Sequence, residues 1–213
     1  YHVLVSEIML QQTQVSRVIE KYHEFIRRFP MLVDLAHAST AEVIQAWSGL
    51  GYNRRALLLH RFAQEVAEKF YGKIPADPAV LITLPGIGPY TAGSVASFAF
   101  NLPQPAIDVN VRRIYSRFFK GVDQGLPGGK KEENALFLLV KDSIPKQNSR
   151  DFHNALMDFG SSICTRDAPQ CDHCPLQTFC RFAPAYTTQK ERALFVMEKK
   201  HEPGRTEKGK HVP

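Results

Sequence analysis

Four cysteines, the only ones in the chain, fall at Cys164, Cys171, Cys174 and Cys180 in a C-x6-C-x2-C-x5-C run. Thiolates are soft metal ligands, and four of them clustered together with no other cysteine point to a metal site. Structural zinc favours two short C-x2-C knuckles, and only Cys171 and Cys174 are spaced that closely. The wider spacings suit thiolates that reach the corners of a cubane. That puts a [4Fe–4S] cluster first, zinc second and two local disulfides third. Pro169 and Pro175 turn the loop, while Asp167, Asp172 and His173 keep it polar.

Two carboxylates stand where acid–base work could be done. Glu7 lies in Ser6-Glu7-Ile8-Met9-Leu10-Gln11-Gln12-Thr13-Gln14, and apolar neighbours raise a carboxyl toward the range of a working general acid. Taken alone, Glu7 reads more plainly as a charge in the first turn of a helix. Gln11, Gln12 and Gln14 supply uncharged polar side chains suited to base edges or to wedging into a base stack. Asp108 sits in Pro105-Ala106-Ile107-Asp108-Val109-Asn110-Val111-Arg112-Arg113, where an N-cap would be expected. It also follows by about twenty residues the stretch Leu84-Pro85-Gly86-Ile87-Gly88-Pro89-Tyr90-Thr91-Ala92, and that order gives it a catalytic reading. Gly86 and Gly88 form a tight turn whose N–H groups, beside a helix start, can hold a phosphate. This is the helix-hairpin-helix pattern for gripping DNA along one strand. A bare G-x-G would be an ordinary turn; Leu84, Pro85 and the small-residue helix behind it favour the DNA reading. Such a contact gives affinity without sequence preference.

The elements that must position these residues are helical. Val15, Val18, Ile19, Tyr22, Phe25, Ile26 and Phe29 follow helical spacing up to Pro30. Ser39 with Glu42 forms a capping box for a helix through Trp47. Arg54–Tyr71 reads as a long amphipathic helix with Leu57, Leu58, Phe62, Val66 and Phe70 on one face and Gly72 as its stop. A short helix follows Asp77, and further helices span Thr91–Phe100, Val111–Phe119, Lys131–Ser143 and Arg150–Ile163. Loops fall at Gly72–Asp77, Asn101–Pro105, Gly121–Gly129 and Pro145–Ser149. No sustained period-two alternation and no internal repeat occurs. The expected class is all-α, with two helical lobes: residues 1–110 carry the hairpin and 111–186 the cysteine loop. A charged tail or linker covers 187–213.

The 213 residues, 44% of them hydrophobic and 23% charged, fit a globular chain and exclude wholesale disorder. No apolar run is long enough to span a bilayer, so no membrane partner is expected. The chain opens on Tyr1 inside an apolar stretch and so reads as a piece of a longer protein. Its formal +6 charge suits nucleic acid, yet half of the excess lies beyond Thr187, and solubility alone would explain it.

Taken together, these stretches resemble the helix-hairpin-helix DNA glycosylase superfamily, and most closely its MutY-type adenine glycosylases. The matching segments are Ser6–Val15, Trp47–Tyr52, Leu84–Ala92, Ile107–Arg113, Asn154–Gly160 and the four cysteines. They span roughly residues 1 to 182 in the family's order. The resemblance implies that Glu7 is the general acid/base and that Asp108 stabilises an oxocarbenium-like sugar, with Asn110 supporting it. It assigns Gln11, Gln12 and Tyr52 to the DNA near the mispair, and Gly86, Gly88 and Arg112 to the backbone. Arg113, and Arg166 and Arg181 of the cysteine loop, are further expected contributors of positive charge. Tyr90 stands where bifunctional relatives carry an imine-forming lysine, so an essentially monofunctional hydrolase is implied. The cysteines are implied to hold a [4Fe–4S] cluster. The expected partner is double-stranded DNA with a mismatch, bound by an intracellular (cytoplasmic or nucleoid) monomer. Val109 stands where the family usually has glycine. No segment after Tyr186 is long enough for the domain with which MutY-type enzymes recognise 8-oxoguanine. Two other readings stand beside adenine excision: a thymine/uracil mismatch glycosylase of the same fold, and a non-catalytic DNA-binding module.

Overall fold

A computed structural model describes residues 1–123 and 129–189. The tail expected from 187 onward therefore lies, from Lys190, outside the described residues, as does most of the loop after Gly121. Ten α-helices occur among the described residues, with no strand. They are α1 (His2–Leu10), α2 (Val15–Arg28), α3 (Leu32–His37), α4 (Thr40–Trp47), α5 (Arg54–Lys69), α6 (Pro78–Leu81), α7 (Pro89–Ser94), α8 (Val109–Tyr115), α9 (Lys130–Ser143) and α10 (Ser149–Ser162).

Local chemistry sets most of the boundaries. Ser39 accepts from Glu42 N while its own N–H donates to the Glu42 carboxylate at 2.8 Å, which closes the capping box of α4. Asp77 caps α6 at 2.8 Å with Pro78 in its first turn. Gly72, at φ +75, reaches back to Val66 O and ends the turn after α5. Periodicity alone gave no sign of α3, a six-residue helix whose start is tied by Met31 N donating to Asp34. In α5 the fully buried face is Ala56, Leu59, Phe62, Ala63 and Val66, so Leu57, Leu58 and Phe70 stand only half-buried beside it. Helices α7 and α8 both continue into wider π-helical turns, Val95–Ala99 and Ser116–Lys120. Such turns frequently occur at functional sites.

The apolar interior falls into separate clusters. The largest gathers Leu4, Val5, Ile8, Met9, Phe25, Trp47, Leu59, Phe62, Val66 and Leu81 from α1, α2 and α4–α6. Each such side chain contributes about 1.5–3 kcal/mol on burial. A second joins Val111, Ile114, Tyr115, Leu136, Val140 and Ile144 from α8 and α9, with α10 packed on it. A third, small one holds Cys171, Phe182 and Ala183. Among the described residues, no helix is long and apolar enough to cross a membrane.

Candidate active site

Glu7 sits on α1 between the buried Leu4, Val5 and Ile8, so its carboxyl is carried to the edge of the main core. It opens into a cavity of about 850 Å³ that is also lined by Ser6, Gln11, Gln12, Tyr90, Asp108 and Asn110. That size lies in the range of small-molecule sites. Burial pushes the Glu7 pKa up and the nearby Asp108 carboxylate adds to the rise, while polar contacts from the Tyr90 and Ser94 hydroxyls draw it back. Tyr90 responds in kind. Burial and the negative charges of Glu7 and Asp108 raise its pKa, so it remains a neutral phenol in polar contact with Glu7. Ser94, four residues on along α7, is fully buried here, and its hydroxyl lacks a hydrogen bond of good geometry. A carboxyl with a raised pKa beside a phenol and a hydroxyl is suited to general-acid work.

Asp108 does two jobs at once. Its Oδ1 accepts from Val111 N at 2.7 Å and caps α8, while Oδ2 accepts from the Asn110 amide at 2.8 Å. The cap reading and the cavity reading are therefore not alternatives. The segment leading to it is held from behind. A Cβ on Gly93 would meet Pro105 O at 2.0 Å, so only glycine allows α7 this close. Ala106 N donates to Nε2 of the fully buried His153 at 3.1 Å. That contact fixes the His153 proton on Nδ1, which faces Ser97 Oγ at 2.9 Å and Ser149 O at 2.8 Å.

Asn110 links onward. Its Oδ1 accepts from Arg113, whose guanidinium also donates to Gly160 O and Cys164 O at 2.8 and 2.9 Å. The Arg113 guanidinium is therefore engaged within the protein, between α8, α10 and the start of the cysteine loop. Arg112 stays at the surface and meets Glu133 at 3.2 Å. The hairpin turn has Gly86 at φ +78, where a Cβ would crowd Leu58 at 2.9 Å, while Gly88 has open space around it. No hydrogen bond occupies the N–H of either glycine among the described residues. Gln12 and Tyr52 are both exposed and both left-handed, at φ 57 and 47.

The four cysteines are free thiols around one apolar cavity, together with Ile114, Phe118, Leu176 and Phe182. Disulfides are thereby excluded from this arrangement. No group of three or more Cys, His, Asp or Glu among the described residues closes tightly enough to hold a single metal ion. Burial and the three neighbouring thiols push Cys171 up to about 11, and a bound positive centre would favour its thiolate. A polynuclear iron–sulfur group fits this donor set. Arg117, with its side chain only 2% exposed, braces the loop by donating to Thr165 O at 2.6 Å and Arg166 O at 2.8 Å. It also donates to Cys164 Sγ at 3.5 Å and pairs with Asp123. Arg166 and Arg181 are exposed on the same loop. Spacing could have flagged Ser94, which lies i+4 from Tyr90. Nothing in the sequence distinguishes the role of Arg117.

The profile of the HhH-GPD superfamily of base excision DNA repair proteins matches residues 5–140. The chain belongs to that superfamily. Its sequence is 40% identical over 177 residues to an adenine DNA glycosylase of Mycobacterium tuberculosis (strain ATCC 25618 / H37Rv), covering 83% of this chain and 57% of that protein. Adenine DNA glycosylases of Rattus norvegicus and Homo sapiens are 42% and 40% identical over 183 residues, 85% of this chain and 35% and 33% of theirs. The chain thus spans between a third and three fifths of the length of these relatives. Among solved structures, a thermostable thymine-DNA glycosylase superposes with a TM-score of 0.76 at 28% identity, covering 87% of this chain and 84% of that one. A trapped endonuclease III–DNA covalent intermediate gives 0.73 at 25% identity, with the same coverage.

Proposed function

We propose that this HhH-GPD chain is the catalytic core of a monofunctional DNA glycosylase that excises adenine mispaired with guanine or 8-oxoguanine. The observation that carries the reading is the shared cavity in which a desolvated Glu7 faces Asp108. The two carboxyls have different environments, as a glycosidic cleavage requires. The target base must leave the stack to reach them. Glu7, its pKa raised chiefly by burial, donates a proton to a ring nitrogen of the flipped base as the C1′–N bond breaks and its electrons pass to the base. Asp108, with hydrogen bonds on both oxygens, faces the positive charge that develops on the sugar. Glu7, now a carboxylate, takes a proton from the water that adds to C1′. Asn110 keeps Asp108 aimed, and Tyr90 orients Glu7.

The hairpin at Gly86 and Gly88 would hold the phosphate backbone, with Gln11, Gln12 and Tyr52 toward the mispair and Arg112, Arg166 and Arg181 as peripheral charge. Cys164, Cys171, Cys174 and Cys180 would hold a [4Fe–4S] cluster, which when bound knits the loop together as a structural cation. The protein would act on double-stranded DNA as a monomer inside the cell, with one lobe (1–110) bearing the hairpin and the other (111–186) the cluster. The identities support adenine: 40–42% to adenine DNA glycosylases, against 28% to the thymine-DNA glycosylase. The latter's TM-score of 0.76 keeps thymine as the second reading. A DNA-binding module without turnover is the third. An end-labelled duplex carrying one adenine opposite 8-oxoguanine tests the first reading. Alkali should break the parent-treated strand at that adenine and leave it whole after Asp108→Asn. Equal breakage by both proteins would refute the mechanism.

A further inference from the structure

One guanidinium joins the two loops that carry the exposed, left-handed Gln12 and Tyr52. Arg55, at the start of α5, sends Nη1 to the carbonyls of Ile8 at 2.9 Å, Met9 at 3.0 Å and Gln11. These are the end of α1, whose last carbonyls lack partners within the helix. Its Nη2 donates to Thr13 Oγ1 at 3.0 Å and to the carbonyls of Leu50 and Gly51 at 3.3 Å, in the turn that follows α4. The charge lies 5.6 Å from the ring of the buried Trp47 and 5.4 Å from that of Tyr52. Trp47 Nε1 adds a second donor to Gly51 O at 3.1 Å. No carboxylate pairs with Arg55 among the described residues, so backbone oxygens and aromatic faces are its counterparts.

The two loops that Arg55 joins each present one strained residue to solvent. Gln12 follows α1 at φ 57, and Tyr52 follows α4 at φ 47 with 64% of its surface exposed. A non-glycine residue in this region is strained and persists only where its surroundings over-determine it. The fork of Arg55, with one prong in each loop, is such a surrounding. We infer that Arg55 is a positioning residue that fixes Gln12 and Tyr52 relative to each other as a two-point wedge for the base stack. The inference rests on the DNA glycosylase reading above. Lysine cannot replace the fork, because a single ammonium on a flexible stem cannot hold both loops in one geometry.

The test is single-turnover excision on a duplex with adenine opposite 8-oxoguanine, run beside affinity for the same duplex without a mispair. Arg55→Met is expected to slow excision on the order of 100-fold, the cost of a misplaced contact. Affinity for the unmispaired duplex should change less than about threefold, because backbone contacts supply it. Arg55→Lys should be slowed as well. In a double-mutant cycle, Tyr52→Ala should add little once Arg55→Met is present, since both remove the same wedge. Should Arg55→Met fail to fold, Thr13→Val removes one acceptor in the same loop and should slow excision with unchanged affinity. Parental rates in Arg55→Lys, parental rates in the methionine or valine variant, or independent, multiplying effects with Tyr52→Ala would each overturn the inference alone. A parent that excises no base would overturn the glycosylase reading, and the inference with it.

Discussion

The Asn110 amide lies 2.8 Å from Oδ2 of Asp108, while the other carboxylate oxygen is spent on capping α8. The acid proposed to face the sugar is thus also a structural acceptor, and substitutions separate the two duties. Asp108→Asn keeps an oxygen for Val111 N and should hold stability near the parent while excision falls by 10²–10³-fold, as when one electrostatic stabiliser is removed. Asp108→Ala should lose activity equally and about 1 kcal/mol of stability besides, the usual cost of a lost N-cap. Urea unfolding together with single-turnover rates reads both. Full activity in the asparagine variant would leave Asp108 as a cap and nothing more.

Glu7 should make the fold less stable as pH rises. Its folded-state pKa is raised, chiefly by burial, so the folded chain prefers the protonated carboxyl. That contribution is fully present below the unfolded pKa and is lost as pH climbs through the folded one. Glu7→Gln removes the ionisation and keeps an acceptor for Tyr90. The variant should melt higher than the parent at pH 8, with the gap closing near pH 4, and should be inactive. A gap that is constant across that range would mean that Glu7 is not desolvated.

The polar contact from the Tyr90 hydroxyl holds the Glu7 pKa below what burial alone would give. Tyr90→Phe should therefore move the alkaline limb of the excision pH profile upward. Neither the parent nor the variant should yield a borohydride-trapped adduct, because neither side chain can form an imine. A downward shift of the limb would contradict the proposed proton arrangement.

Gly93 is buried against Pro105 O, and a methyl group there has no room. Gly93→Ala should cost about 3 kcal/mol, the upper end for overpacking when the obstacle is backbone. It should also slow excision, since the displaced segment leads into Asp108. A melting temperature within a degree of the parent's would mean that α7 and the 105–108 segment move apart easily.

Helical periodicity, the Ser39–Glu42 box, the Asp77 cap and the Gly72 stop were legible because each is a local interaction within one turn. The cavity was half legible. Glu7, Tyr90 and Asp108 could be singled out by residue type and order, yet the sequence offered cap and catalyst as rivals for Asp108, whereas the two carboxylate oxygens serve one role each. The inward engagement of Arg113 was not legible, because its acceptors, Gly160 O and Cys164 O, lie about fifty residues away and no local pattern announces them. Arg55 and Arg117 were missed for the same reason: their partners are backbone carbonyls, which every residue has. Helix α3 was too short to show a period.

The most direct test of the central claim is a panel of duplexes carrying adenine opposite guanine or 8-oxoguanine, and thymine or uracil opposite guanine, each scored for abasic sites under single turnover. The account predicts release of adenine from both of its pairs and no release of thymine or uracil. Release of thymine or uracil with adenine left intact would contradict it.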